Sequence, residues 1–153
     1  MLESIKRLFA YDAWANARSL DSLKRARSSA ALAPLAHLLA SEKIWFMRLM
    51  GEDTSAVNKS PELSQEECEA LALELRASYA SYLGSLGEDD LGSLSVYKNF
   101  KGTEFRTPVG DILTHVAMHG TYHRGQIAKA LRAEGVAPAD TDYITCVRES
   151  AAT

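Results

Sequence analysis

The chain has 153 residues, 46% hydrophobic and 24% charged, with a net charge of −3, a pI near 5.8 and a mean hydropathy of −0.16. That composition describes an ordinary soluble globular protein with one core, expected as a single domain over residues 1–153. The acidic balance, with no basic run or stripe, argues against a nucleic-acid partner, and no segment approaches the ~18 consecutive apolar residues of a membrane span. Glu3, Lys6 and Arg7 interrupt the start, so no signal peptide is expected and the cytoplasm is the default compartment. Cys68 and Cys146 form no CxxC pair, which indicates neither a disulfide scaffold nor a cysteine zinc site.

In chain order, residues 2–25 read as a first helix, with Leu2, Ile5, Leu8, Phe9, Ala15 and Leu23 at helical spacing. Lys6, Arg7, Asp12 and Arg18 interrupt it as polar residues. A second helix runs to about Met50, with Ser28 or Ser29 as its cap, Pro34 in an early turn and Gly51 at its end. Its main apolar face holds Leu35, Leu38, Leu39, Trp45, Phe46 and Leu49. His37 lies off that face, on an arc with Ala33, Ala40, Ser41 and Ile44. Apart from Glu42, Lys43 and Arg48, this helix is apolar or small nearly all round, as a largely buried helix is.

Residues 51–63 form a polar connection whose thirteen residues can span about 40 Å when extended. A twenty-residue helix is only about 30 Å long, so this loop can cross a bundle and leave helices two and three parallel. Ser64-Gln-Glu-Glu67 is a capping box that opens the third helix, with Leu71, Leu75, Tyr79 and Tyr82 or Leu83 facing inward and Gly84 and Gly87 marking its end. Val96, Tyr97, Phe100, Thr103 and Phe105 are strand formers around a Lys101-Gly102 turn, which predicts a short β-hairpin. Thr107-Pro108 then reads as a cap and first position of a fourth helix that Gly135 closes. A short final helix holds Tyr143, Ile144 and Val147. The fold class is all-α, a four-helix bundle with a hairpin before its last long helix and a short C-terminal helix.

The fourth helix carries His115, His119 and His123. Residues four apart stack on one helix face, so two such imidazoles can hold one ion without distorting the backbone. With ~100° per residue and His119 as zero, Val109, Ile112, Val116, Ile127 and Ala130 fall between roughly 20° and 80°. Leu113 and Leu131 extend that stripe to about 120°, His123 lies inside it near 40°, and His115 turns away near −40°. His115 and His123 are about 12 Å apart along the axis, too far to share an ion bound at ~2.0–2.1 Å. The pairs 115/119 and 119/123 remain, and the second points more nearly into the core. His37 could add a third ligand.

Neutral imidazole suits Zn²⁺, Ni²⁺, Cu²⁺ or Fe²⁺. Three histidines with an open fourth position make a catalytic arrangement, while four protein ligands make a structural one. His119-Gly-Thr-Tyr-His123 lacks the glutamate of a HExxH peptidase, and no GxSxG, Walker or GxGxxG pattern is present.

His115-Val-Ala-Met-His-Gly-Thr-Tyr-His-Arg-Gly-Gln126 resembles the signature of the DinB/YfiT-like metalloenzyme family, which is unrelated to the DNA polymerase of similar name. Tyr11-Asp-Ala-Trp-Ala-Asn16, the stretch from His37 to Trp45 with Arg48 and Gly51, and Asp142-Tyr143-Ile144 after Pro138 extend the resemblance over almost the whole chain. It implies an up-down-down-up bundle, and a divalent ion, Zn²⁺ or Ni²⁺, on His37, His119 and His123, with His115 close by as a non-ligand. It also implies a homodimer, a small-molecule substrate and a low-molecular-weight thiol of the bacillithiol or mycothiol kind, used by a transferase or related hydrolase acting on small electrophiles. Trp14, Trp45 and Tyr122 would wall the pocket, and Arg124 and Gln126 are expected to serve structure. The alternative is a stress-associated metal-binding bundle without turnover.

Overall fold

A computed structural model describes residues 1–26 and 29–151. The expected architecture is present: helices α1 (Leu2–Leu23), α2 (Ala33–Leu49), α3 (Gln65–Ser85) and α4 (Val109–Ala133), a hairpin of β1 (Leu94–Lys98) and β2 (Glu104–Pro108), and a short α5 (Tyr143–Ser150). Both α1 and α2 pack against α3 and α4. The directions follow from which ends meet. The N-terminal ammonium of α1 bonds Glu88 just beyond α3, and Gln65 at the start of α3 donates to the Leu20 carbonyl, so α1 and α3 are antiparallel. Tyr79 and Tyr82 of α3 meet Glu42 and Phe46 of α2 in ascending order, so those helices are parallel. The long 51–63 connection permits this, and the order is up-down-down-up.

The amphipathic reading of the helices holds at the core. Leu35, Leu38 and Leu39 of α2 and Ile112, Leu113, Val116, Ile127 and Leu131 of α4 are fully buried. Ser64 caps α3 as a complete box, its hydroxyl accepting from the Glu67 amide and its own amide donating to the Glu67 carboxylate. Gly135, at φ 77°, ends α4 in a Schellman turn, with the Val136 amide reaching back to the Leu131 carbonyl.

Two caps differ from expectation. Ser28 lies outside the described residues, and Ser29 opens a short 3₁₀ turn, Ser29–Ala31, so Leu32 stands at the N-cap of α2 with Pro34 in its first turn. At α4 the start moves by one residue: Thr107 stays in β2, paired with Ser95, and Pro108 is the N-cap. The Thr107 hydroxyl bonds the Tyr97 phenol across the hairpin instead of capping the helix.

The polar residues of α1 and α2 are not all on the surface. Asp12, Asn16 and Glu42 are buried, and they meet Arg124 of α4, itself 3% exposed. Arg124 Nη1 donates to Asp12 Oδ1 at 2.6 Å and to Asn16 Oδ1 at 2.8 Å. The Asn16 amide donates to Asp12 Oδ2 and to Glu42 Oε1, both at 3.1 Å. Tyr79 of α3 donates to the Glu42 backbone carbonyl at 2.9 Å, so all four long helices meet at one polar knot. Gly120 makes the close approach possible: a Cβ there would collide with the Asp12 carboxylate and lie 2.8 Å from Arg124 Nη1. Burial works against the charge on Arg124, but the Asp12 carboxylate outweighs it and raises the guanidinium pKa. Burial, then the Asp12 charge, hold the Glu42 carboxyl well above the ordinary 4.5, with the Asn16 hydrogen bond opposing them.

Removing one partner of a buried ion pair strands the other. Asp12→Ala is therefore expected to lose about 3–5 kcal/mol in urea unfolding at neutral pH. Glu42 has the opposite linkage from a salt-bridged carboxylate. Its folded pKa is raised, so the stability it contributes is complete below its ordinary value of 4.5 and is lost as pH rises through the folded value. Glu42→Gln keeps an acceptor for Asn16 and has no proton to lose. The stability of the variant relative to wild type should climb with pH above 4.5. A pH-independent difference would mean that Glu42 ionises as freely in the fold as outside it.

Candidate metal centre

α2 and α4 run antiparallel where they carry the histidines: His37, early in α2, meets His119 and His123, while Trp45, late in α2, meets His115. The ring centroids of His37 lie 6.0 Å from His119 and 4.7 Å from His123, and those of His119 and His123 lie 4.3 Å apart. One ligand nitrogen from each falls within 4.8 Å of the other two. Among the described residues this is the one cluster of three histidine, cysteine or carboxylate side chains so arranged. His115 stands next to it, its ring 5.6 Å from His119 and edge-on to Trp45 at 5.1 Å. The helical pair 119/123 is thus the one that His37 joins.

Two of the three imidazoles are oriented by bonds from their outer nitrogen. His37 Nδ1 lies 2.6 Å from the Lys59 carbonyl and 3.2 Å from the Ser60 hydroxyl. His123 Nδ1 lies 3.0 Å from Gln126 Oε1. A carbonyl oxygen only accepts, so Nδ1 carries the proton in both rings and Nε2 keeps its lone pair. This is the arrangement by which protein groups behind a metal-binding histidine fix its tautomer and raise its basicity. His123 Nε2 and His119 Nε2 face each other at 3.0 Å, directing their nitrogens to one place.

Electrostatics favour the unprotonated form that a ligand needs. Burial, then the neighbouring His123, His115 and His37, push His119 down to about 4. Burial also lowers His123, against the opposing effect of the hydrogen bond it donates to Gln126. The donor set fits a borderline divalent ion: neutral nitrogens, no thiolate, and a partly exposed side.

The surroundings depart from the sequence reading in two ways. Tyr122 is 66% exposed and edges onto His123 at 5.2 Å, and Trp45 covers His115, but Trp14 is elsewhere. It lies under the Arg18 guanidinium in a groove of about 950 Å³ between α1 and α3. A second hollow of about 700 Å³ lies between α1, α4 and the C-terminal segment, and neither is lined by a histidine. Sequence reading also passed over Lys59 and Ser60, which orient His37. Their signal was present: the Asn58 side chain accepts from the Ser60 amide in a tight turn, which fixes the loop beside the ring. Arg124 lies in the polar knot and Gln126 behind His123.

No helix among the described residues is long and apolar enough to cross a membrane. The DinB family matches residues 1–150. Protein DinB of Bacillus subtilis (strain 168) is 30% identical over 154 residues, covering 90% of this chain and 90% of that protein. The match takes in both histidine-bearing helices, the hairpin between α3 and α4, and the C-terminal helix. On that extent of similarity the chain belongs to the DinB family.

Proposed function

We propose that this chain is a metal-dependent enzyme in which His37, His119 and His123 hold one divalent ion, Zn²⁺ or Ni²⁺. The observation that carries the reading is the convergence of three imidazole nitrogens within 4.8 Å, two of them on rings whose Nδ1 is already committed to an oxygen. Three protein nitrogens leave room for an exogenous ligand. A divalent ion bound there would acidify a thiol and favour its nucleophilic thiolate at neutral pH.

The reaction class that fits is thiol transfer to a small electrophile, with bacillithiol or mycothiol as the type of thiol. An S–C bond forms, the electrophile's leaving group departs with its electron pair, and the thiol proton passes to solvent. The chain's part is positional: Gln126 and the Lys59 carbonyl set the ring planes, Trp45 and Tyr122 flank the site, and the bundle holds α2 against α4. Cys68 is no substitute for an external thiol, since burial raises its pKa to about 11. A second reading, a metal-binding bundle without turnover, is favoured by one observation, that the two large cavities lie away from the histidines.

Elemental analysis of untagged protein should find about one ion per chain. The His37→Ala, His119→Ala and His123→Ala variants should each lose it, and His115→Ala should keep it. Retention of metal by His119→Ala would overturn both readings. Gln126→Ala should bind the ion about 10–100-fold more weakly, because His123 loses its orienting acceptor. Loaded wild type that consumes no thiol with any electrophile in a broad panel would leave the metal site and remove the enzyme.

A further inference from the structure

We propose that Arg48 is an anion-binding residue beside the histidine cluster, and that the small molecule acted on there, thiol or electrophile, carries a carboxylate.

Arg48 is 7% exposed, and its Nε is buried with no hydrogen-bond partner. Among the described residues its guanidinium has no ion pair and no hydrogen bond. Its contacts are ring faces: the guanidinium carbon lies 4.6 Å from the Trp45 centroid, 4.9 Å from Tyr97 and 5.6 Å from Phe100. Ring faces attract the charge, but they satisfy none of the five in-plane N–H donors. Burial lowers the pKa of the group, and the opposing influence is the Tyr97 phenol, not a carboxylate. Arg124 shows the contrast within the same protein: it is more deeply buried and its Nε also lacks a partner, but its Nη1 is answered by Asp12 and Asn16. A buried cation without an anion is costly, so a structural role alone leaves the choice of arginine unexplained. A planar fork between aromatic faces matches a carboxylate, which it can take by two parallel hydrogen bonds.

The position ties this anion site to the histidines. Trp45 packs against both the guanidinium and His115, and His115 is the neighbour of His119. Lys59 adds a second cation, its ammonium 5.9 Å from the Phe100 ring, and the same residue's carbonyl holds His37. The backbone carbonyl of Arg48 is itself fixed by the Ser95 hydroxyl at 3.0 Å, which seats α2 against β1. The cover is thin: Phe100, in the turn between β1 and β2, is 47% exposed, so rotation of one side chain opens the guanidinium.

The part of the proposal that places this anion on a reacting molecule rests on the metal-dependent reading above; the anion site itself does not. The test separates them. Trp45 emission is followed in a Trp14→Phe background while phenylacetate or its neutral isostere phenylacetamide is titrated, without added metal. Phenylacetate should saturate at a concentration at least ten-fold lower than phenylacetamide. Arg48→Met should abolish that preference, Arg48→Lys should keep part of it, and Phe100→Ala, which leaves the guanidinium in place, should tighten phenylacetate binding. His119→Ala should bind phenylacetate like wild type, so the result stands even where the metal reading fails. In metal-loaded protein, calorimetry should show 3-mercaptopropionate binding at least ten-fold tighter than 3-mercapto-1-propanol, with the difference lost in Arg48→Met. Equal binding of phenylacetate and phenylacetamide, or a carboxylate preference unchanged in Arg48→Met, would overturn the proposal. Inorganic phosphate saturating at lower concentration than phenylacetate would overturn the carboxylate assignment.

Discussion

The Arg124–Asp12 ion pair fixes which way α4 faces, and the histidine cluster depends on that. Gly120 and Arg124 are one turn apart on α4 and face α1, where Asp12 and Asn16 receive the guanidinium. His119 and His123 each precede one of these residues. At ~100° per residue they therefore lie about a quarter turn away, His123 within the apolar stripe of Ile112, Val116 and Ile127 and His119 at its edge. With one flank pinned to α1 and the stripe in the core, the other flank can only meet α2, where His37 waits. A rotation of α4 by one residue would move both histidines out of reach of His37 and strand a buried charge as well.

The cost of this device is a concentration of polar atoms in the middle of an apolar bundle. Two carboxyls, one carboxamide and one guanidinium share the space, and two full negative charges against one positive would leave the knot unbalanced. Burial and Asp12 raise the pKa of Glu42, which favours its neutral carboxyl and lessens that imbalance. The Tyr79 hydroxyl brings α3 into the same knot through the Glu42 carbonyl, so a single network sets the mutual register of all four long helices.

What could be read from the sequence was what is local or periodic. The helices, the hairpin, the capping box at Ser64, the crossing loop and the inward pair His119/His123 all rest on spacing within one element, and each is found in the fold. The cap of α4 failed by one residue because Thr107 spends its hydroxyl on Tyr97, a partner that local chemistry does not supply. Asp12, Glu42 and Arg48 look like polar interruptions of apolar helices, yet all three are buried. The charged partner of Asp12, Arg124, is more than a hundred residues away in sequence, and the rings around Arg48 come partly from the hairpin. A buried charge is explained by what surrounds it in three dimensions, and periodicity can only mark it as out of place.

The 51–63 loop shows how one segment carries both topology and site. Its length lets α2 and α3 run parallel, which puts the start of α2, and so His37, against the later half of α4. Having made the crossing, it returns past that end of the bundle, where its Lys59 carbonyl takes the outer nitrogen of His37. An imidazole on an arc of small residues such as Ala33 and Ala40 has little to hold its ring plane. The carbonyl supplies that hold from outside the helix, as Gln126 does for His123 from within its own. The two rings are therefore oriented by independent means, one tertiary and one local. Of the two, the local bond survives any movement of the loop, so displacement of residues 58–60 would free His37 first and leave the 119/123 pair intact.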